Sequence, residues 1–319
     1  MKDWLINAWL WLKYKLLKNH QKKVDFGVPT HTEDFHNPTW EVSDRNLYSA
    51  DMITLKDNVQ VKDGKLLLHV KYENKEFSNW WGTAIKTWSV GYIEFKNNIF
   101  PYGIWSVKCK LPDDEDAWPA IWLLRERHPA TETKIDFGNA LKIEESVLSV
   151  PGWTDQRVDL NWYVWFDETV VGFIAGLDKA NLKITVDRPI PETEGRRVFV
   201  SPDHIIPEVD IMEIIHGKIQ HTIHYGYSNT VYKTSEWNVK RGKPDFDKEY
   251  EFSVEITESG YKFYIDRVLT GILYYKKAVT NAGAYLILNN AKHGGITSGK
   301  NSVFEISEVK FYDKTSKIL

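Results

Sequence analysis

Cysteine is almost absent. Cys109 is the only one in 319 residues, so no intrachain disulfide can form and the redox compartment stays open. No His/Cys cluster has zinc spacing, no glycine-rich loop has the pattern that cradles phosphate, and no nucleophile elbow is present. Charge of one sign is lacking too. Lys and Arg number 41 against 44 Asp and Glu, a net charge of −3, which gives nucleic acid no electrostatic reason to bind. Internal repeats and low-complexity tracts are missing. Beyond Phe35 no long amphipathic helical pattern appears, which excludes helix bundles and alternating α/β folds.

Aromatic surface, by contrast, is plentiful. The 14 Trp, 16 Tyr and 14 Phe exceed what a core of this size needs, and flat aromatic faces are what a pyranose ring stacks on. Most of them are still expected to fill a β-sandwich core.

The segment from Met1 to about Lys23 differs in kind. Trp4, Leu5, Ile6, Trp9, Leu10, Trp11, Leu12, Leu16 and Leu17 predict a helix that is apolar over most of its circumference, followed by a basic run to Lys23. Lys13 and Lys15 interrupt it before it is long enough to span a bilayer, and no small-residue cleavage site follows the apolar core. It reads as a helix that docks on its own domain, a partner protein, a larger particle or a membrane surface. Residues 1–28 are thus an N-terminal helix and linker, and 29–319 the main domain.

From Phe35 onward the pattern is β. Short runs rich in β-branched and aromatic residues, such as Lys65–Val70, Tyr92–Phe95 and Ile104–Leu111, are separated by turn signals such as Lys62-Asp63-Gly64. The expected fold is all-β: an antiparallel β-sandwich jelly roll with a sheet able to hold a ligand.

One strand-like run carries three acids: Glu208-Val209-Asp210-Ile211-Met212-Glu213. Residues two apart share a face of a strand, so Glu208 and Asp210 agree while Glu213 points away. One extra residue, a β-bulge at Ile211 or Met212, restores parity. Two carboxylates on one face could then lie about 5–5.5 Å apart, the separation expected of a retaining glycosidase. The plainer alternative is an exposed edge strand that alternates charge with Val, Ile and Met.

The flanking motifs bear on that choice. Tyr102-Gly103-Ile104-Trp105-Ser106-Val107-Lys108-Cys109-Lys110-Leu111-Pro112 and Ala117-Trp118-Pro119-Ala120-Ile121-Trp122-Leu123-Leu124 are followed by the acidic run, by His221-Thr222-Ile223-His224-Tyr225-Gly226, and by Tyr285-Leu286-Ile287-Leu288-Asn289-Asn290. In this order they resemble the motifs of glycoside hydrolase family 16, the laminarinases, agarases and carrageenases. The resemblance implies a concanavalin A-like jelly roll and a retaining endo-β-glycosidase that needs no cofactor. Glu208 matches the nucleophile, Asp210 the carboxylate between the catalytic pair, and Glu213 the general acid/base. The negative charges of Glu208 and Asp210 would help Glu213 keep its proton until the covalent intermediate forms. Trp118 and Trp122 match aromatic residues flanking the site and are expected to stack on sugar. His224 matches a histidine near the acid/base, and Asn289 an asparagine that bonds a sugar. The implied partner is a polysaccharide: a β-1,3-glucan, a mixed-linkage glucan or a marine galactan. Such a substrate implies extracellular or particle-associated action.

The chain departs from the family pattern in three places. About 80 residues, Arg125 to Pro207, stand where a modest loop is usual; their strand-like runs predict an ordered β-rich insertion able to wall the site. In Trp162-Tyr163-Val164-Trp165-Phe166 alternate side chains face opposite ways, one set for packing and the other for a second layer or a ligand. Tyr92 stands where many members carry arginine. Ser307 stands where an aspartate associated with a structural calcium is common, and a neutral hydroxyl is a poor ligand for a hard cation, so no metal is expected. Two rival readings remain: a non-catalytic carbohydrate-binding module on the same sandwich, which would not need all three acids, and a structural or virion protein anchored by the N-terminal helix.

Overall fold

A computed structural model describes residues 22–42, 51–79, 82–96, 98, 100, 102–124, 134–139, 141–153, 158, 162–191, 196–201, 208–225, 235–274, 284–296 and 299–313. The N-terminal helix expected from Met1 lies outside the described residues, apart from Lys22 and Lys23, which are not helical. Among the described residues the chain is β, with one 3₁₀ turn at Lys56–Asn58 and no α-helix.

The strands form three sheets in two compact units. The first unit comprises Met1–Arg125, Pro207–His224 and Glu236–Leu319. It holds a ten-stranded sheet, with Gly103–Lys110 and Ser302–Asp313 at its centre, and a seven-stranded sheet. Within the seven-stranded sheet the neighbours run Ser235–Lys240, Lys218–Tyr225, Glu208–Ile215, Ala120–Leu124, Tyr285–Asn289, Tyr92–Glu94 and Glu41–Val42. Every described pairing is antiparallel except that of Met52–Thr54 with Gly82–Val90. This is the sandwich that the short alternating strands predict.

Period-two alternation divides the seven-stranded sheet cleanly. The register aligns Ile223, Val209, Leu123 and Leu286 in one row, and Met212, Ile121, Leu288 and Ile93 in the next. All eight are buried. The opposite face carries the acids. Glu208–Ile215 turns into Lys218–Tyr225 through His216 and Gly217, both at positive φ (49° and 67°), the geometry of a two-residue type I′ hairpin. That turn fixes the register of the acid-bearing hairpin.

His221 sits on the buried side of this hairpin. Its Nε2 lies 2.9 Å from the Thr270 hydroxyl, and its ring stacks on Phe263 at 4.9 Å; both partners belong to the ten-stranded sheet. The histidine therefore links the two layers.

A second buried polar contact ties down the approach to the site. Lys292 is fully buried, pairs with Asp114 and lies 4.7 Å from the Trp88 ring centre. Around it, Trp118 N–H donates to the Ala291 carbonyl at 2.7 Å and Ala291 N–H to that of Trp118 at 3.1 Å. The ion pair thus clamps the segment that delivers Trp118.

The second unit, Glu126–Ile206 with Tyr225–Ser235, has its own seven-stranded sheet and its own core. Val164 and Phe166 pack there with Phe137, Ile174, Val198 and Val200, and Trp162 packs against them. Tyr163 and Trp165 are buried as well. Trp165 donates its indole N–H to Ser201 at 2.9 Å and carries the Lys134 ammonium 3.9 Å from its ring centre. Neither set is left open for a sugar, which corrects that part of the expectation: Tyr163 packs on Phe173, and a neighbouring cation and a hydroxyl engage Trp165.

Two stability outcomes follow from the buried polar contacts. Asp114→Ala should cost about 3–5 kcal/mol, because it strands a buried ammonium, while the double variant Asp114→Leu/Lys292→Met recovers most of the loss; chemical denaturation measures both. Burial holds His221 down to about 4 from 6.5, with Arg241 adding to the effect. Between those values the unfolded chain binds a proton that the folded chain refuses, so stability falls as pH drops from about 6.5 towards 4, by on the order of 3 kcal/mol. His221→Asn should flatten the dependence of the denaturation midpoint on pH in that window; an unchanged slope contradicts the assignment.

Candidate active site

Pairing on both sides locates the bulge. Against Lys218–Tyr225, Asp210 aligns with Thr222 and Glu213 with Gln220, so three steps on one strand answer two on the other. Against Ala120–Leu124, Asp210 aligns with Trp122 and Met212 with Ile121. Ile211 is therefore the extra residue, partnerless in both ladders. It returns Glu213 to the face of Asp210 and Glu208.

Directly opposed residues point the same way in an antiparallel sheet, so three rows cross this face. Gln220, Glu213, Ala120, Asn289 and Tyr92 form one; Thr222, Asp210, Trp122, Ile287 and Glu94 form the next; His224 and Glu208 lie in the third. Every residue singled out from the sequence except Trp118 lies on these rows. Trp118 reaches the same place from just before its strand.

Hydrogen bonds organise the acids. Trp118 donates its indole N–H to Glu213 Oε1 at 2.9 Å. His224 Nε2 lies 3.0 Å from Asp210 Oδ2 and 3.8 Å from Glu208 Oε1. Asp210 and Glu213 are buried, while Glu208, His224 and Trp118 keep partial contact with solvent. The site thus holds carboxyl groups in its depth and is open at its edge.

Trp122 is buried, donates its indole N–H to Asn289 Oδ1 at 2.8 Å and meets Tyr92 edge-on at 6.3 Å. Asn289 Oδ1 accordingly accepts from a tryptophan. Tyr92, at the position where arginine is common in the resembled family, directs its hydroxyl to Glu94 Oε1 at 3.4 Å, and Glu94 pairs with Lys96 at 2.8 Å.

Residues that the sequence reading did not single out join the site. Gln220 and Thr222 share the face of His224, and strand parity from His224 would have found them. The Trp118 ring stacks on His293 (5.3 Å, 13°), which stacks on His216 (5.2 Å, 21°). His216 N–H donates to His293 Nε2 at 3.3 Å, and burial together with the neighbouring His216 lowers the basicity of His293. No local motif announces this row, because it joins a hairpin tip to a distant loop.

Among the described residues one group could hold a metal ion: Glu208, Asp210 and His224, whose ligand atoms lie within 4.8 Å of one another. The Ser307 region fits calcium poorly. Its hydroxyl donates to Glu249, and Glu249 is paired with Lys108 at 2.8 Å, so the carboxylate charge is already matched.

No protein-family model matches the sequence, and no curated protein does. Solved structures do. The chain is similar to the laminarinase catalytic domain of Thermotoga maritima at TM-score 0.55 and 16% identity, over 91% of this chain and 99% of that one. It is similar to a non-specific endo-β-1,3(4)-glucanase from family GH16 at TM-score 0.58 and 15% identity, over 92% and 95%. A third is LamA of Zobellia galactanivorans, solved with laminaritriose and laminaritetraose, at TM-score 0.56 and 17% identity, over 91% and 100%. The fold of this chain is the fold of the glycoside hydrolase family 16 laminarinases and endo-β-1,3(4)-glucanases.

Proposed function

We propose that the protein is a retaining endo-β-glycosidase acting on a β-1,3- or mixed-linkage β-glucan. The observation that carries this reading is the bulge at Ile211, which gives Glu208, Asp210 and Glu213 one face. The substrate class leans on neighbours whose names are laminarinase and endo-β-1,3(4)-glucanase.

In this reading Glu208 attacks the anomeric carbon as a carboxylate, and Glu213 gives its proton to the departing sugar oxygen. Glu213 then takes a proton from the water that attacks the glycosyl ester, and Glu208 leaves as a carboxylate again. The indole N–H of Trp118 donates to Glu213 Oε1, which supports Oε2 as the carrier of the mobile proton. Trp118 is thereby a positioning residue as well as an aromatic wall. Asp210, close to His224, is a buried anion that maintains the electrostatic difference between the two glutamates. Trp122 and Asn289 hold one another as a floor beneath the sugar. The N-terminal segment is proposed to dock the domain on a partner, a particle or a membrane surface.

Reducing-sugar release from laminarin and mixed-linkage β-glucan, with galactans for comparison, tests the substrate class; no release from any β-glucan contradicts the proposal. Glu208→Gln should abolish turnover in a protein that still folds. Glu213→Gln should lower kcat/KM on glucan by about 10²–10⁴-fold, and far less on aryl β-glycosides whose leaving group needs no proton. Equal losses on both substrates would remove Glu213 from the acid/base role.

A further inference from the structure

Ile211 is fully buried and has no partner residue in either neighbouring strand. A buried carbonyl at such a point needs a donor from elsewhere. It has one: Ile211 O lies 2.6 Å from His221 Nδ1. We infer that His221 is the positioning residue that holds the bulge, its Nδ1–H donating to the Ile211 carbonyl and so setting where Glu213 stands relative to Glu208 and Asp210. The consequence for Glu213 rests on the glycosidase reading of the site; the hydrogen bond itself does not.

The tautomer follows from the contacts. A carbonyl oxygen only accepts, so Nδ1 carries the proton. Burial keeps the ring neutral, so Nε2 is an acceptor. The Thr270 hydroxyl has one proton and two acceptors within 3.0 Å, His221 Nε2 and the Phe263 carbonyl. Only the donation to Nε2 leaves the ring nitrogen satisfied. Stacking on Phe263 at 24° holds the plane of the ring. The bulge is thus braced, through one imidazole, against two residues of the other sheet.

His221 also has the right address. The neighbouring pairs are Thr222 with Asp210 and Gln220 with Glu213, and His221 is the residue between them on the shorter strand. It stands opposite the extra residue, and its donor reaches the carbonyl of that residue. Without that donor the Ile211 carbonyl would lose its bond to the imidazole, and a bulge displaced by one residue would put the carboxylate of Glu213 in a different place. The mechanism itself makes no other use of this histidine.

Two isosteric variants separate the bond from the bulk of the side chain. In His221→Asn the amide nitrogen can occupy the position of Nδ1, and in His221→Gln that of Nε2. His221→Gln should lower kcat/KM on a β-glucan oligosaccharide by about tenfold to a hundredfold, the scale of a misplaced catalytic group, with KM nearly unchanged and a much smaller loss on an activated aryl β-glycoside. His221→Asn should stay within about threefold of wild type on both substrates, on the same scale. Equal losses in the two variants, or equal losses on the two substrates, overturn the inference in favour of a packing role. A second measurement needs neither variant nor activity. Long-range ¹H–¹⁵N correlation on the full-length wild-type chain labelled with ¹⁵N-histidine should show one imidazole protonated at Nδ1, with slow exchange, that is lost in either variant's spectrum. Protonation at Nε2 instead overturns the inference whatever the protein hydrolyses, whereas an Nδ1–H ring in a protein that cleaves no β-glucan leaves the bond standing and removes the proposed function.

Discussion

A β-strand has two faces and a period of two, so acids spaced by two and then by three residues share a face only where the ladder absorbs one more residue. In this chain Ile211 is that residue, and the organisation of the site follows from it. Met212 turns into the core against Ile121, Glu213 turns out against Ala120, and the small side chain of Ala120 leaves room beside the carboxylate. The same irregularity that would serve the proposed chemistry would weaken the sheet if its extra carbonyl were left unpaired, because a buried group without a partner costs about 1–3 kcal/mol. Stability and function therefore meet at one peptide unit.

Around that unit the protein invests in rigidity. The type I′ turn at His216 and Gly217 sets the hairpin register from one end. The Lys292–Asp114 pair and the Trp118–Ala291 bridge hold the neighbouring segment, and Trp118 in turn holds Glu213. These contacts come from separate stretches of chain and converge on the Glu213 carboxyl and the hairpin that carries it. Preorganisation of this kind is what acid/base and nucleophilic chemistry requires, since the reacting groups must not spend free energy finding their places.

Much of this is legible in the residues themselves. The turn at Asp63-Gly64 appears as a hairpin with both residues at positive φ, and the failed parity of Glu208, Asp210 and Glu213 by itself demands a bulge at Ile211 or Met212. The odd spacing of His221 and His224 also separates their roles: one ring goes to the core, the other to the acids. Other features are not legible, for a physical reason. The Trp118–Glu213 bond spans 95 positions and the Lys292–Asp114 contact 178, and such bonds depend on how strands are ordered in space and on rotamers that no local pattern encodes. Trp122 shows the limit well. Its motif places an aromatic residue beside the acids, but nothing local announces that its indole N–H bonds Asn289 and that its ring is buried. Likewise Tyr163 and Trp165 look available in an alternating strand, but Tyr163 packs on Phe173, and Lys134 and Ser201 engage Trp165.

As the proposed nucleophile, Glu208 becomes covalently bonded to the sugar while Glu213, on the far side of the bulge, does not. Incubation with an activated 2-deoxy-2-fluoro-β-laminaribioside, followed by proteolysis and mass spectrometry, tests this directly, because the fluorine slows release of the glycosyl ester. One glycosyl adduct is expected, on Glu208, formed as activity is lost. An adduct on Glu213 or on a carboxylate outside this strand, or turnover with no adduct and inverted product, would contradict it.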